Sequence, residues 1–228
     1  ICGQLNLAPK SYDRKGRNMT IQIQSFVLGP LENNAYLLQD TENHQAALID
    51  PPFGSKSVWQ YCQQENLRIT NIFCTHAHFD HIAGLLELQT EWDETRNIWL
   101  HQDDLPLWHA KGGATNFGIP FDLKLEPSHW FTDQQLVNFG NDSLRIFHTP
   151  GHTPGHVVLY LHTHQLAFVG DLIFRLSVGR TDLPGGSHIQ LLASIDRSIK
   201  PLPGETRLLS GHGPETTVEY EKKHNPYL

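Results

Sequence analysis

The chain has 228 residues, enough for one ordinary domain with a substantial core. Its 39% apolar and 18% charged residues are normal for a soluble globular protein, and a net charge of −7 argues against a nucleic-acid partner. Three cysteines without regular spacing give no disulfide framework, so a reducing compartment, the cytoplasm, is expected.

No apolar run reaches the roughly 18 residues of a membrane span, so no membrane partner is expected. The 15 histidines are the compositional outlier. The only methionine is Met19. Residues 1–18 read polar and irregular, and are expected to be a vector-derived or disordered segment; a processed leader is the alternative. Residues 19–228 are expected to form one domain.

In chain order, residues 21–27 alternate apolar and polar, as a half-buried strand does. Residues 35–38 and 46–49 continue a meander that ends at Asp50-Pro51-Pro52. A helix capped by Ser55 or Ser57 follows, with Val58, Tyr61, Cys62 and Glu65 at helical spacing. Residues 67–74 return to a strand. After the stretch Thr75–His81, the pattern Ile82, Leu85, Leu86 predicts a helix to about Glu91. A short strand at 98–100, a weak helix at 103–109 and a long loop at 111–128 come next. Loops of that length often shape binding sites, and a disordered surface excursion is the equal alternative; Phe117 and Phe121 could line such a site or anchor the loop on the core. Strands are predicted at 136–139, 144–148, 157–161, 166–169 and 207–210, helices at 189–199 and 216–223, and an irregular segment at 171–187.

The chemistry concentrates in Thr75-His76-Ala77-His78-Phe79-Asp80-His81. His76 and His78 lie two apart on extended backbone, so both imidazoles face one side and can meet one ion. Asp80 and His81 come as the chain turns into a helix and suit a second ion. Three later residues stand at strand-to-loop junctions beside glycine: His152, Asp171 and His212. Five histidines and two aspartates delivered by four segments would serve two cations. Imidazole suits zinc, iron and manganese comparably, and no thiolate selects zinc. Two adjacent ions lower the pKa of a bridging water and polarise a carbonyl or phosphoryl oxygen, so hydrolysis through a metal-bridging hydroxide is the natural reaction. His156 reads as structural, with a metal role as the lesser alternative; His148 reads as an ordinary strand-end residue, with support of the ligands as its lesser alternative.

This pattern resembles the metallo-β-lactamase superfamily: His-x-His-x-Asp-His, then a later His, Asp and His, in that order. The resemblance implies an α+β fold, a four-layer αβ/βα sandwich with metals in the cleft between two sheets. It implies His76, His78 and His152 on the first metal, Asp80, His81 and His212 on the second, and Asp171 between them. It further implies two divalent ions per chain, zinc first, iron or manganese as alternatives. Asp171, where true β-lactamases carry cysteine, points away from antibiotic cleavage.

Asp171-Leu-Ile-Phe, Val178-Gly-Arg-Thr-Asp-Leu-Pro-Gly-Gly and the Gly211-His-Gly-Pro-Glu ending resemble short glyoxalase II-like hydrolases without the C-terminal helical domain. The resemblance implies hydrolysis of S-lactoylglutathione to lactate and glutathione, a small anionic thioester. Asp80 would orient the attacking oxygen or take its proton. Arg180 falls where full-length relatives place a glutathione-binding lysine, and is the candidate substrate-binding residue. Gly-Arg-Thr-Asp is also shared with mononuclear-iron persulfide dioxygenases, the alternative reading. A phosphodiesterase, a lactonase and a non-catalytic metal-binding module are the others.

Overall fold

The computed structural model describes residues 21–91 and 96–228. The expectation for residues 1–18 lies outside the described residues. The chain opens with β1 (Ile21–Leu28), β2 (Asn33–Asp40) and β3 (Gln45–Ile49), an antiparallel meander. Helix α1 (Lys56–Gln64) crosses over to β4 (Arg68–Phe73), which runs parallel to β3. The ligand-bearing stretch follows, leading into α2 (Phe79–Ile82) and α3 (Gly84–Leu88). β5 (Asn97–His101) and β6 (His129–Phe131) complete a six-stranded sheet in sequential order, with α4 (Leu105–His109) between them.

The second sheet comprises β7 (Leu136–Phe139), β8 (Asp142–His148), β9 (Val157–Leu161) and β10 (Leu166–Gly170), all antiparallel. A two-stranded hairpin, β11 (Ile173–Phe174) and β12 (Ser177–Val178), leads to α5 (His188–Ser198). β13 (Arg207–Ser210) then pairs parallel to β10, and β14 (Thr216–Thr217) closes the sheet before α6 (Val218–His224). The sheet order is β14-β13-β10-β9-β8-β7.

Period two along the strands builds the layers. In β2 and β3, Tyr36, Leu38, Ala47 and Ile49 face a core shared with Leu144, Ile146, Leu159, Phe168 and Leu209 of the second sheet. Their neighbours Leu37 and Leu48 face the opposite way, onto Val58 and Cys62 of α1 and Leu85 of α3. On the far side, Val158, Tyr160 and Leu208 pack against Leu191 and Ile195 of α5 and Val218 of α6. Burial on both faces explains why these strands read as apolar runs. The result is helix, sheet, sheet, helix: the expected α+β four-layer sandwich.

Several elements differ from expectation. The helix predicted to run to Glu91 is interrupted at Ala83, between α2 and α3, where Gly84 donates its backbone nitrogen to Pro51 O at 2.8 Å; a Cβ on Gly84 would lie 2.5 Å from the Pro52 carbonyl oxygen. The 111–128 loop begins with a 3-10 turn, Lys111–Phe117, anchored by Gly112 at φ +60°. A Cβ on Gly112 would fall 2.4 Å from the Phe79 backbone nitrogen, so the loop presses directly onto the ligand-bearing segment. Phe121 is buried in the core, whereas Phe117 stays 54% exposed at the cleft. The segment 171–187 holds the β11–β12 hairpin, and residues 216–217 form β14 rather than helix. No helix among the described residues is long and apolar enough to cross a membrane.

Candidate metal centre

All the ligand-bearing segments leave strand ends on one side of the sandwich. The β4 end supplies His76, His78, Asp80 and His81, while the ends of β8, β10 and β13 supply His152, Asp171 and His212. Six of these seven form two donor clusters, His76, His78 and His152, and Asp80, His81 and His212; Asp50 with His76 and His81, and His101 with Asp103 and His148, are two further groups of close donor atoms among the described residues. Asp171 stands between the first two clusters. Its Oδ2 is 3.6 Å from His152 Nε2 and 3.8 Å from His212 Nε2, and its Oδ1 is 3.4 Å from His81 Nε2. The structure thus brings together all seven sequence-predicted ligands.

The surrounding hydrogen bonds set the tautomers. Asp50 accepts from the Thr75 backbone nitrogen at 2.7 Å, from Thr75 Oγ1 at 2.6 Å and from His81 Nδ1 at 3.2 Å. With its own hydrogen given to Asp50, Thr75 Oγ1 accepts from His76 Nδ1 at 3.0 Å. His152 Nδ1 donates to the Arg180 carbonyl at 2.8 Å, and His212 Nδ1 to the Leu31 carbonyl at 3.1 Å. In their neutral forms, His76, His81, His152 and His212 therefore turn a bare Nε2 inward. His78 presents Nδ1, 2.8 Å from His152 Nε2.

Two observations test whether this set suits cations. His76 Nε2 and Asp171 Oδ1 are buried and have no hydrogen-bond partner. Unpartnered buried acceptors are costly, and converging lone pairs repel one another; a cation at each cluster relieves both. The residues fit a pair of divalent ions.

Burial holds His76 well below, and His78 down to about 3 from, the usual histidine pKa, with neighbouring imidazoles adding to the depression. His81 and His212 move the other way: burial opposes their charge, but Asp171 and Asp80 outweigh it and raise both. Asp80 and Asp171 are likewise opposed by burial, yet His81 with the other nearby imidazoles holds both below the usual carboxylate range. Burial pushes the Cys62 thiol up to about 12 and Cys74 well above its usual value, so neither offers a thiolate.

Sequence reasoning missed four residues here. Asp50 is one; once β3 and β4 pair in parallel with Ile49 opposite Phe73, the residue after β3 must lie beside the ligand loop. Asp104 is fully buried and accepts from Ala77 N, Thr153 Oγ1 and Gly155 N at 2.9, 2.8 and 2.6 Å, joining the first ligand loop to the His152 turn. Thr75 relays Asp50 to His76. Asn33, at the start of β2, places its amide against Asp80, and no spacing signal marked it. His156, expected to be structural, takes part in the site's hydrogen bonding: its Nε2 accepts from the Asp171 backbone nitrogen at 3.2 Å. His148 does not reach the ligands; it stacks on His101 at 3.9 Å and bonds the Pro154 carbonyl. Arg180 lines the cleft, but its Nε and Nη2 are both taken by Asp182, at 2.7 and 2.8 Å.

The clusters open into a cleft of about 830 Å³. Phe53, Phe79, Leu107, Phe117, Ile119 and Leu183 supply its apolar wall. Glycine is required at position 211, against the donor clusters, since a Cβ there would sit 2.3 Å from Asp171 Oδ1.

Residues 28–212 match the family model described as the metallo-beta-lactamase superfamily. The chain belongs to this superfamily. It is 37% identical to a probable metallo-hydrolase, YqgX, of Bacillus subtilis (strain 168), over 88% of this chain and 94% of that one. It is 31% identical to the hydroxyacylglutathione hydrolase GloC of Haemophilus influenzae, over 91% and 98%. Among solved structures, BLEG-1, described as a B3 metallo-beta-lactamase, superposes with a TM-score of 0.82 at 36% identity, covering 90% of this chain and 99% of that one. A di-iron-bound form of TTHA1623 gives 0.80 at 38%, covering 90% and 100%. ETHE1 from Myxococcus xanthus gives 0.71 at 25%, covering 90% and 83%. Superfamily membership establishes the fold and a metallo-hydrolase ancestry.

Proposed function

We propose that this chain is a binuclear metallohydrolase that cleaves thioesters, in the manner of hydroxyacylglutathione hydrolases. The observation that carries this reading is Asp171, a single carboxylate reaching toward both donor clusters. Divalent ions held there would lower the pKa of water and polarise a carbonyl oxygen. Neutral imidazoles and carboxylates without thiolate accommodate zinc, iron or manganese. A relative described in a di-iron-bound form supports iron alongside zinc.

The chain's own residues would do the rest. Asp80, kept ionised by His81, His212 and Asn33, is a weak base and a good hydrogen-bond acceptor, so its part is to orient the attacking water. The apolar wall receives the acyl side of the substrate and keeps bulk water away. Arg180 is the cationic residue of the described lining, and meets a substrate carboxylate if it exchanges Asp182 for it. S-lactoylglutathione is the proposed substrate, supported by the name of the 31% identical relative.

The test is to purify the protein anaerobically, count metals per chain, and assay loss of the S-lactoylglutathione thioester. A β-lactam and glutathione persulfide with oxygen-uptake recording serve as parallel substrates. Two ions with thioester cleavage is the expected result. The second reading, a mononuclear-iron persulfide dioxygenase, is favoured by Gly179-Arg180-Thr181-Asp182 and by the likeness to ETHE1. One iron with oxygen uptake and no thioester cleavage would replace the first reading with the second.

A further inference from the structure

We infer that the first half of the chain builds an acyl-binding wall beside the metal centre, with Phe117 as its exposed ring, and that the preferred thioesters carry apolar acyl groups longer than lactoyl. The inference rests on the thioester reading above and narrows its substrate class.

The wall is continuous with the core. Phe79, the first residue of α2, is buried and stands in the chain between the candidate ligands His78 and Asp80. Phe53, Leu107 and Ile119 pack on the same apolar cluster as Phe79, and all four reach the cleft. Phe117 adds its ring with its centre 5.5 Å from that of Phe79. One apolar surface thus runs from the interior to the ligand-bearing segment, and a group held against Phe79 lies next to members of both donor clusters.

The segment that carries Phe117 is fixed, so the wall is preformed. Ala114 is fully buried, and its carbonyl accepts from Ile119 N at 3.1 Å. Gly118 N bonds the Thr115 carbonyl at 3.2 Å, and a left-handed φ of +67° at Gly118 turns the chain back. The close approach of Gly112 to the Phe79 backbone holds the other end of the segment. Phe117 nevertheless keeps more than half of its surface open, and that ring lines the cleft. A large ring held rigidly and left half exposed in a cleft is apolar surface offered to a ligand rather than to the core.

The distribution of charge says which part of a thioester this surface takes. Among the described lining residues, Arg180 is the only lysine or arginine, and it comes from the second half of the chain, near Leu183 and Pro184. The wall residues Phe53, Phe79, Leu107, Phe117 and Ile119 bring neither charge nor side-chain hydrogen-bonding groups, and the polar neighbours Thr115 and Asn116 are exposed. A glutathione moiety has carboxylates and peptide groups, which such a wall would leave without partners. The hydroxyl of a lactoyl group would fare the same way. An alkyl or phenyl acyl group loses no hydrogen bond there and gains from leaving water. The acyl chain therefore belongs on the wall, and the carboxylate-bearing thiol half is directed toward Arg180.

The experiment uses the metal-loaded full chain as wild type, Phe117→Ala and Phe117→Leu. Hydrolysis is compared for S-acetyl-, S-lactoyl-, S-butanoyl- and S-hexanoylglutathione, which share one leaving thiol. Calorimetry gives the affinities of S-methyl- and S-hexylglutathione, thioethers that cannot be hydrolysed. Partial burial on an open wall should give about two- to fourfold per methylene, so wild-type kcat/KM should rise roughly 10- to 200-fold from acetyl to hexanoyl, with lactoyl below butanoyl. The hexyl thioether should bind more tightly than the methyl one by a similar factor. Phe117→Ala should cut the hexanoyl-to-acetyl and hexyl-to-methyl ratios about tenfold, chiefly through KM, and Phe117→Leu should restore most of both. A wild-type profile that is flat or falls with chain length overturns the inference and leaves the hydrolase reading in place. So do unchanged ratios in Phe117→Ala, the result expected of a ring that only packs its loop. If no thioester is cleaved but the alkyl preference and its loss in Phe117→Ala remain, the hydrolase reading fails and the wall stands as a site for apolar groups. No cleavage with no alkyl preference overturns both.

Discussion

Replacing Asp50 with asparagine tests whether the outer hydrogen bonds set the lone pairs of the metal centre. Asp50 lies outside the donor clusters' cleft lining, buried, with three hydrogens pointed at its two oxygens. In Asp50→Asn, one oxygen still accepts from the Thr75 backbone. The new NH2 then faces two groups that were donors, Thr75 Oγ1 and His81 Nδ1. The Thr75 hydroxyl can rotate; the imidazole can answer only by moving its hydrogen to Nε2, the atom that faces the second cluster. A buried polar group left opposed costs roughly 1–3 kcal/mol, a visible share of a total stability of about 5–15 kcal/mol. Loss of an outer partner typically weakens metal binding about 10- to 100-fold. Urea unfolding of the metal-free protein should show the first effect, and metal counts after dialysis at graded free Zn²⁺ the second, confined to one ion per chain. A stability loss with both ion affinities intact would refute the claim that Asp50 fixes the His81 tautomer.

Two further outcomes follow from the site's electrostatics. On acidification, protons should displace the second ion before the first. His81 and His212 have raised pKa values, so protons compete for them at higher pH than for His76 and His78, whose values are lowered. Metal counts after dialysis between pH 7.5 and 5 check this, and simultaneous loss of both ions contradicts it. Arg180→Ala should raise KM for a carboxylate-bearing thioester while sparing kcat, because His152 is oriented by the Arg180 backbone carbonyl and not by its side chain. Steady-state kinetics decide, and an unchanged KM makes the Arg180–Asp182 pair a purely structural clasp.

Most of the fold and the seven candidate metal donors were legible because their signals are local. Period-two apolar runs mark strands wherever they occur, and a histidine or aspartate beside glycine at a strand end is visible without knowing what lies opposite. Asp50, Asp104 and Asn33 were not legible for the converse reason. Their roles depend on which strand ends become neighbours: β3 beside β4, the α4 entry beside the His152 turn, the start of β2 beside the end of β13. Arg180 was legible as a cation near the cleft, but its engagement with Asp182 depends on the conformation of a loop rather than on spacing. The break at Ala83 was hidden likewise, since it answers to the close approach of Gly84 to Pro51 and Pro52.

The donors come from both halves of the sandwich: Asp80 and His81 follow β4 of one sheet, and Asp171 and His212 follow β10 and β13 of the other. Bound ions would therefore act as rivets between two sheets, beside the polar ties already made by Asn34 to Gly211 and by Asp104 to the His152 turn. By mass action, a site that exists only when the halves are together stabilises that state by about 2.7 kcal/mol when free metal is 100 times its dissociation constant. Metal supply would then shift the stability of the folded protein as well as its turnover.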